Sequence, residues 1–146
     1  MRWRTALLAA LLIAACTHVP YTLSDTDKAR FDDVARIPPR DPGAAPQIFG
    51  IEHCTLYKAV TKDGEIVDWR VVLSSDWGQT SYPKWMTVCT REALRYDGAY
   101  VHVLFCAQPI GAGGGCAGGG GSYRSRDGEH RWEISQDQKS WEPLPK

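Results

Sequence analysis

The chain's most legible pattern is apolar residues alternating with polar ones, punctuated by Asp-Gly. From Val67 the apolar residues Val67, Trp69, Val71 and Leu73 recur at every second position, the spacing that puts side chains on one face of a strand. Asp-Gly occurs at Asp63-Gly64, Asp97-Gly98 and Asp127-Gly128. Between strand-like residues this dipeptide marks a tight hairpin, because both turn positions take positive φ. Three hairpins are predicted. Residues 54–62 pair with 65–73, setting Val60 opposite Val67 and Leu56 opposite Val71. A middle hairpin turns at Asp97-Gly98, with Tyr96 opposite Ala99 and Leu94 opposite Val101. Residues 122–126 pair with 129–134, setting Tyr123 opposite Trp132. The stretch from Ile134 through Asp137 to Trp141 reads as a further strand, turn and strand. The expected fold is all-β, a small antiparallel meander over residues 47–146 that forms a barrel or a sandwich.

The first 46 residues follow another pattern. A basic start, Met1-Arg2-Trp3-Arg4, precedes an apolar run from Ala6 to Ala15 and then Cys16. A charged start, a short apolar run and small residues before a cut describe a secretory signal peptide. A spanning helix needs about 20 apolar residues, and Thr17-His18 and Pro20 end this run early. Further on, Ser24 and Asp27 have capping-box spacing, and the residues from Lys28 to Ala35 favour a short helix. Four prolines between Ile37 and Pro46 predict an extended, semi-rigid spacer.

Ile13-Ala14-Ala15-Cys16 resembles the lipobox of bacterial lipoproteins. The resemblance implies that residues 1–15 are removed and that Cys16 is the lipid attachment site, diacylated and acylated again at its new amino group. Residues 16–46 are then an acylated N-terminus and tether. Thr17, where inner-membrane retention favours Asp, implies the periplasmic face of the outer membrane. Two or more acyl chains make such anchoring stable, at about 0.8 kcal/mol per buried methylene.

Export changes the reading of the remaining cysteines, Cys54, Cys89, Cys106 and Cys116. An even number in an oxidising compartment points to two disulfides. No C-x-x-C is present, so no metal site is expected. If Asp97-Gly98 is a two-residue turn, Cys89 faces Cys106 at a non-hydrogen-bonded position. The Cα separation of about 4.5 Å there suits a disulfide, and Cys54 would join Cys116. If the residues from Thr90 to Arg95 form a helical turn, as their propensities favour, the pairing becomes Cys54–Cys89 with Cys106–Cys116. The sequence leaves both open.

Beyond the signal the chain carries 15 basic and 17 acidic side chains, without a block of either sign. Nucleic-acid binding needs a basic face and is not expected. No G-x-S-x-G, H-E-x-x-H or P-loop occurs, so no catalytic residues, cofactor or enzymatic activity are expected. His102, with Leu104 and Cys106 on one strand face, reads as structural, and the pairs Glu52/Asp68 and Asp127/Asp137 read as solvated turns.

Two stretches suit protein recognition. Residues 76–85 hold Trp77, Tyr82 and Trp85 among small polar residues, an aromatic platform if exposed and a core plug if buried. The glycine-rich run 111–121 lacks the Gly-Lys-Ser/Thr of a phosphate loop and reads as a flexible loop pinned by Cys116, with Gly113 and Gly114 near its tip. A crosslink lowers the ordering cost of binding. The functional expectation is a membrane-tethered periplasmic binding lipoprotein. It is similar in kind to envelope immunity and inhibitor lipoproteins, which neutralise a toxin or a cell-wall hydrolase. The alternative is an accessory lipoprotein of an envelope or secretion assembly.

Overall fold

A computed structural model describes residues 21–39, 41–75 and 82–144. The expectations for the signal peptide, Cys16 and Trp77 lie outside these residues. Strands β1 (Asp33–Ile37), β2 (Gln47–Glu52), β3 (Thr55–Lys62) and β4 (Glu65–Ser74) form one sheet in that order. Strands β5 (Thr87–Tyr96), β6 (Val101–Pro109), β7 (Gly119–Ser125), β8 (Glu133–Ser135) and β9 (Glu142–Pro143) form a second. Every pairing is antiparallel. The all-β meander is therefore present as two sheets, not as a closed barrel. One core joins them: Phe49, Ile51, Leu56 and Leu73 from the first sheet meet Val101, Val103, Phe105 and Tyr123 from the second. Strand β6 shows why, with Val101, Val103 and Phe105 buried and His102 and Leu104 turned outward.

The stretch before residue 47 contributes two elements. Ser24 caps a helix α1 (Asp25–Arg30), accepting the Asp27 N–H at 3.0 Å. The helix stops at Phe31, short of the expected Ala35, because that ring leaves to pack on the first sheet. Its centroid lies 4.4 Å from Trp69 and 5.8 Å from Tyr57. Gly50 makes room beneath, since a Cβ there would sit 2.6 Å from the Phe31 ring. The Trp69 indole donates to Asp27 at 2.8 Å, and Arg30 donates to Glu52 at 2.9 Å. Strand β1 then pairs along β2 and buries Ala35 and Ile37.

The three Asp-Gly hairpins exist, but their registers need correction. The first turns at Lys62↔Glu65 as expected, yet β4 carries two extra residues, Val67 and Val72. These bulges set Val60 opposite Asp68 and Leu56 opposite Leu73. A bulge leaves one residue unpaired and interrupts the alternation. The expected shared face of β4 is thereby lost: Val67 and Val71 are 57% and 48% exposed, while Val72 and Leu73 are both buried. The middle hairpin pairs Tyr96 with Val101 and Leu94 with Val103, around a four-residue loop. Asp97 acts as a cap there, its Oδ1 accepting the N–H groups of Ala99 at 2.9 Å and Tyr100 at 2.8 Å. The third pairs Tyr123 with Ile134, because Asp127 caps Glu129 and His130 in the same way and widens the loop. Asp137 repeats the device on Lys139 and Ser140.

The disulfides are Cys54–Cys89 and Cys106–Cys116. This is the second of the two pairings the sequence leaves open, but the helical turn invoked for it is absent: β5 runs through Thr90–Arg95 as a strand. What parts Cys89 from Cys106 is the longer loop, which sets Arg91 opposite Cys106 and by itself would carry Cys89 to Gln108; a bulge at Thr90 brings Cys89 back one step, opposite Ala107.

Candidate protein-binding site

The end of the second sheet is built by the chain entering β5 and leaving β6. A short 3₁₀ turn, Lys84–Met86, leads into β5, and Thr87 pairs with Pro109 at the sheet's margin. The Ile110 N–H donates to the Met86 carbonyl at 2.7 Å and carries the pairing one step further. The chain then reverses at Pro109–Ala112, with the Ala112 N–H donating to Pro109 at 3.1 Å. From there it runs out to Cys116, which is bonded back to Cys106 on β6. The Gly118 N–H returns to the Ala107 carbonyl at 2.9 Å. A hydrogen bond on one side and a disulfide on the other thus hold the loop.

This end concentrates exposed apolar surface. Trp85 is 77% exposed, Ile110 65%, Val88 48% and Tyr82 41%. Four of the seven large exposed hydrophobic side chains among the described residues lie here, and the other three are on β3 and β4. Trp85 is therefore not a core plug, and the structure brings it and Tyr82 to the same end as the crosslinked loop. Gly113 and Gly114 are exposed, with open space where a Cβ would stand. The expectation of a flexible loop needs correction beyond Gly118. Gly119–Ser125 is β7, and a Cβ at Gly120 would fall 2.3 Å from the Phe105 carbonyl oxygen. That part of the run is glycine because β6 lies against it.

The other candidates fall into structural roles. His102 Nε2 lies 2.6 Å from Asp97 Oδ2. Two backbone N–H groups, then His102, hold the Asp97 carboxyl well below the usual carboxylate range. Asp127 and Asp137 cap turns, and Glu52 is engaged by Arg30. Cys54, Cys89 and Glu92 gather within 4.8 Å. Both sulfurs are joined to each other, so they are not the thiolates that metal binding needs. Sequence reasoning missed the Glu92 cluster. Its carboxyl is pushed up to about 7, first by burial and then by the Asp32 carboxyl, against the Cys54 N–H that it accepts. Comparison of the chain with protein-family models, with curated proteins and with solved structures gives no match.

Proposed function

We propose that this chain is a lipid-anchored periplasmic protein whose folded domain binds another protein and neutralises it, as an immunity or inhibitor protein against a toxin or a cell-wall hydrolase. The observation that carries the binding part is Trp85, 77% exposed beside Ile110 and a loop fixed by Cys106–Cys116. Large exposed apolar clusters mark association surfaces. Tryptophan anchors on rigid scaffolds dominate binding energy, because little order has to be imposed on contact. The anchoring part rests on the resemblance of Ile13-Ala14-Ala15-Cys16 to a lipobox. With 15 basic and 17 acidic side chains beyond the signal, charge steering is weak and binding should tolerate salt.

The test uses the full acylated chain in detergent to capture partners from envelope and secreted fractions, beside the Trp85→Ala variant. A partner held by the parent and released by the variant, whose lytic or toxic activity stops when the parent is added, supports the proposal. A partner held through Trp85 but unaffected in activity supports the accessory role instead. Equal capture by both proteins rules out this end of the sheet as the site.

A further inference from the structure

A second surface lies on the outer face of the β5–β8 sheet. His102 is about seven residues along β6 from Pro109, roughly 23 Å at the usual strand rise. The register there places Arg95, His102, Arg124 and Glu133 in one row across four strands. The Arg124 guanidinium sits between two aromatic rings, with Cζ 4.7 Å from the Tyr100 centroid and 4.3 Å from that of Trp141. Among the described residues Glu133 engages it through Nε alone, which fixes the fork and leaves its Nη edge. His102 is matched by Asp97, and Arg95 is exposed with no carboxylate partner among the described residues. A cavity of about 210 Å³ opens between them, walled by Leu104 and Trp141 and lined also by Arg95, His102, Arg124 and Gln138.

We propose that this cavity binds the carboxylate of an aliphatic acid. The charge already present selects the ligand. Glu133 engages Arg124 and Asp97 is hydrogen-bonded to His102, so Arg95, with no carboxylate partner among the described residues, is the cation left to take one negative charge. A phosphate dianion would bring more charge than Arg95 matches, beside two resident carboxylates. A carboxylate suits the flat guanidinium fork, and its methylenes have Leu104 and Trp141 to lie against. The inference is independent of the Trp85 surface.

The test is a titration of the isotopically labelled full chain, followed by amide and indole NMR shifts. The probes are N-acetylglutamate methylamide, its glutamine counterpart, butyrate and inorganic phosphate. The glutamate probe should shift the amides around Arg95, Leu104 and Arg124 and the Trp141 indole, with Kd on the order of 1 mM for so small a ligand. Stronger binding of the glutamate probe than of butyrate assigns an acidic peptide, and equal binding assigns a free acid. Arg95→Gln should weaken binding at least fivefold while shifts elsewhere stay in place. Arg124→Lys keeps the charge, loses the fork and should weaken it also. Equal shifts with glutamine or phosphate, no shift with any probe, or an Arg95→Gln variant that binds unchanged would overturn the proposal.

Discussion

His53 and Cys54 form the β2–β3 turn with φ of 50° and 54°, although neither is glycine or asparagine. Left-handed backbone at such residues is uncommon, and surrounding structure must hold it. Here the Cys54–Cys89 bond and the Cys54 N–H donated to Glu92 do so. The hairpin was invisible in the sequence because its turn carries neither Gly nor Asn. Glu92 makes this corner pH-dependent. Its folded value of about 7 exceeds its ordinary 4.5, so folding favours the protonated form. That contribution is complete below about pH 4.5 and is lost as the pH rises through about 7. Urea denaturation from pH 4 to 8 should show stability falling over this window in the parent and a flatter profile in Glu92→Gln. A second residue-scale prediction concerns Tyr123, fully buried with a hydroxyl that has no partner among the described residues. A buried orphan hydroxyl costs about 1–3 kcal/mol. Tyr123→Phe should therefore leave the melting temperature unchanged or raise it, whereas a drop would reveal a partner.

At the element scale the strands flanking the Asp-Gly turns were legible; β1, where a helix and a spacer were expected, was not, and neither was register. Apolar alternation marked β4, and Asp-Gly marked all three turns. The registers slipped because Asp97 and Asp127 bond forward to backbone N–H groups and make longer loops than a two-residue turn. Val67, Val72 and Thr90 then add bulges that no local residue pattern announces. The outward row Arg95, His102, Arg124 was hidden for the same reason, since cross-strand neighbours follow only from register. Position now predicts which glycines matter. Gly120 has φ of 140° and lies against Phe105, so Gly120→Ala should destabilise the domain severely. Gly113→Ala, in open space, should leave the denaturation midpoint within error. The two disulfides should also differ. In the loop-entropy account a 10-residue separation is worth about 3 kcal/mol and a 35-residue one about 4 kcal/mol. Replacing Cys106 and Cys116 together by Ala should cost less stability than replacing Cys54 and Cys89. It should nevertheless weaken partner capture more, because it frees the loop beside Ile110.

At the scale of the whole fold, the described residues form a two-sheet unit in which α1 and β1 belong to the same body as the strands that follow them. Glu129 engages Lys58 and Arg70 from the first sheet, adding a polar tie between the sheets beside the shared core. The all-β class could be read from the chain because turn signals and alternation recur throughout it. The place of Trp85 could not, since an aromatic beside a strand end is as easily a plug as a platform. The anchoring proposal is tested by Cys16→Ser, which should abolish acylation and block cleavage of the signal. Normal processing to a free periplasmic protein would contradict it. The central claim, that the Trp85 end is the recognition surface, is tested most directly by calorimetric titration of the captured partner against the parent and against Trp85→Ala. The predicted result is a Kd raised about thirtyfold or more, close to 2 kcal/mol, with the β-type circular dichroism unchanged and little dependence on salt. A Kd within twofold of the parent, in a variant that remains folded, would contradict it.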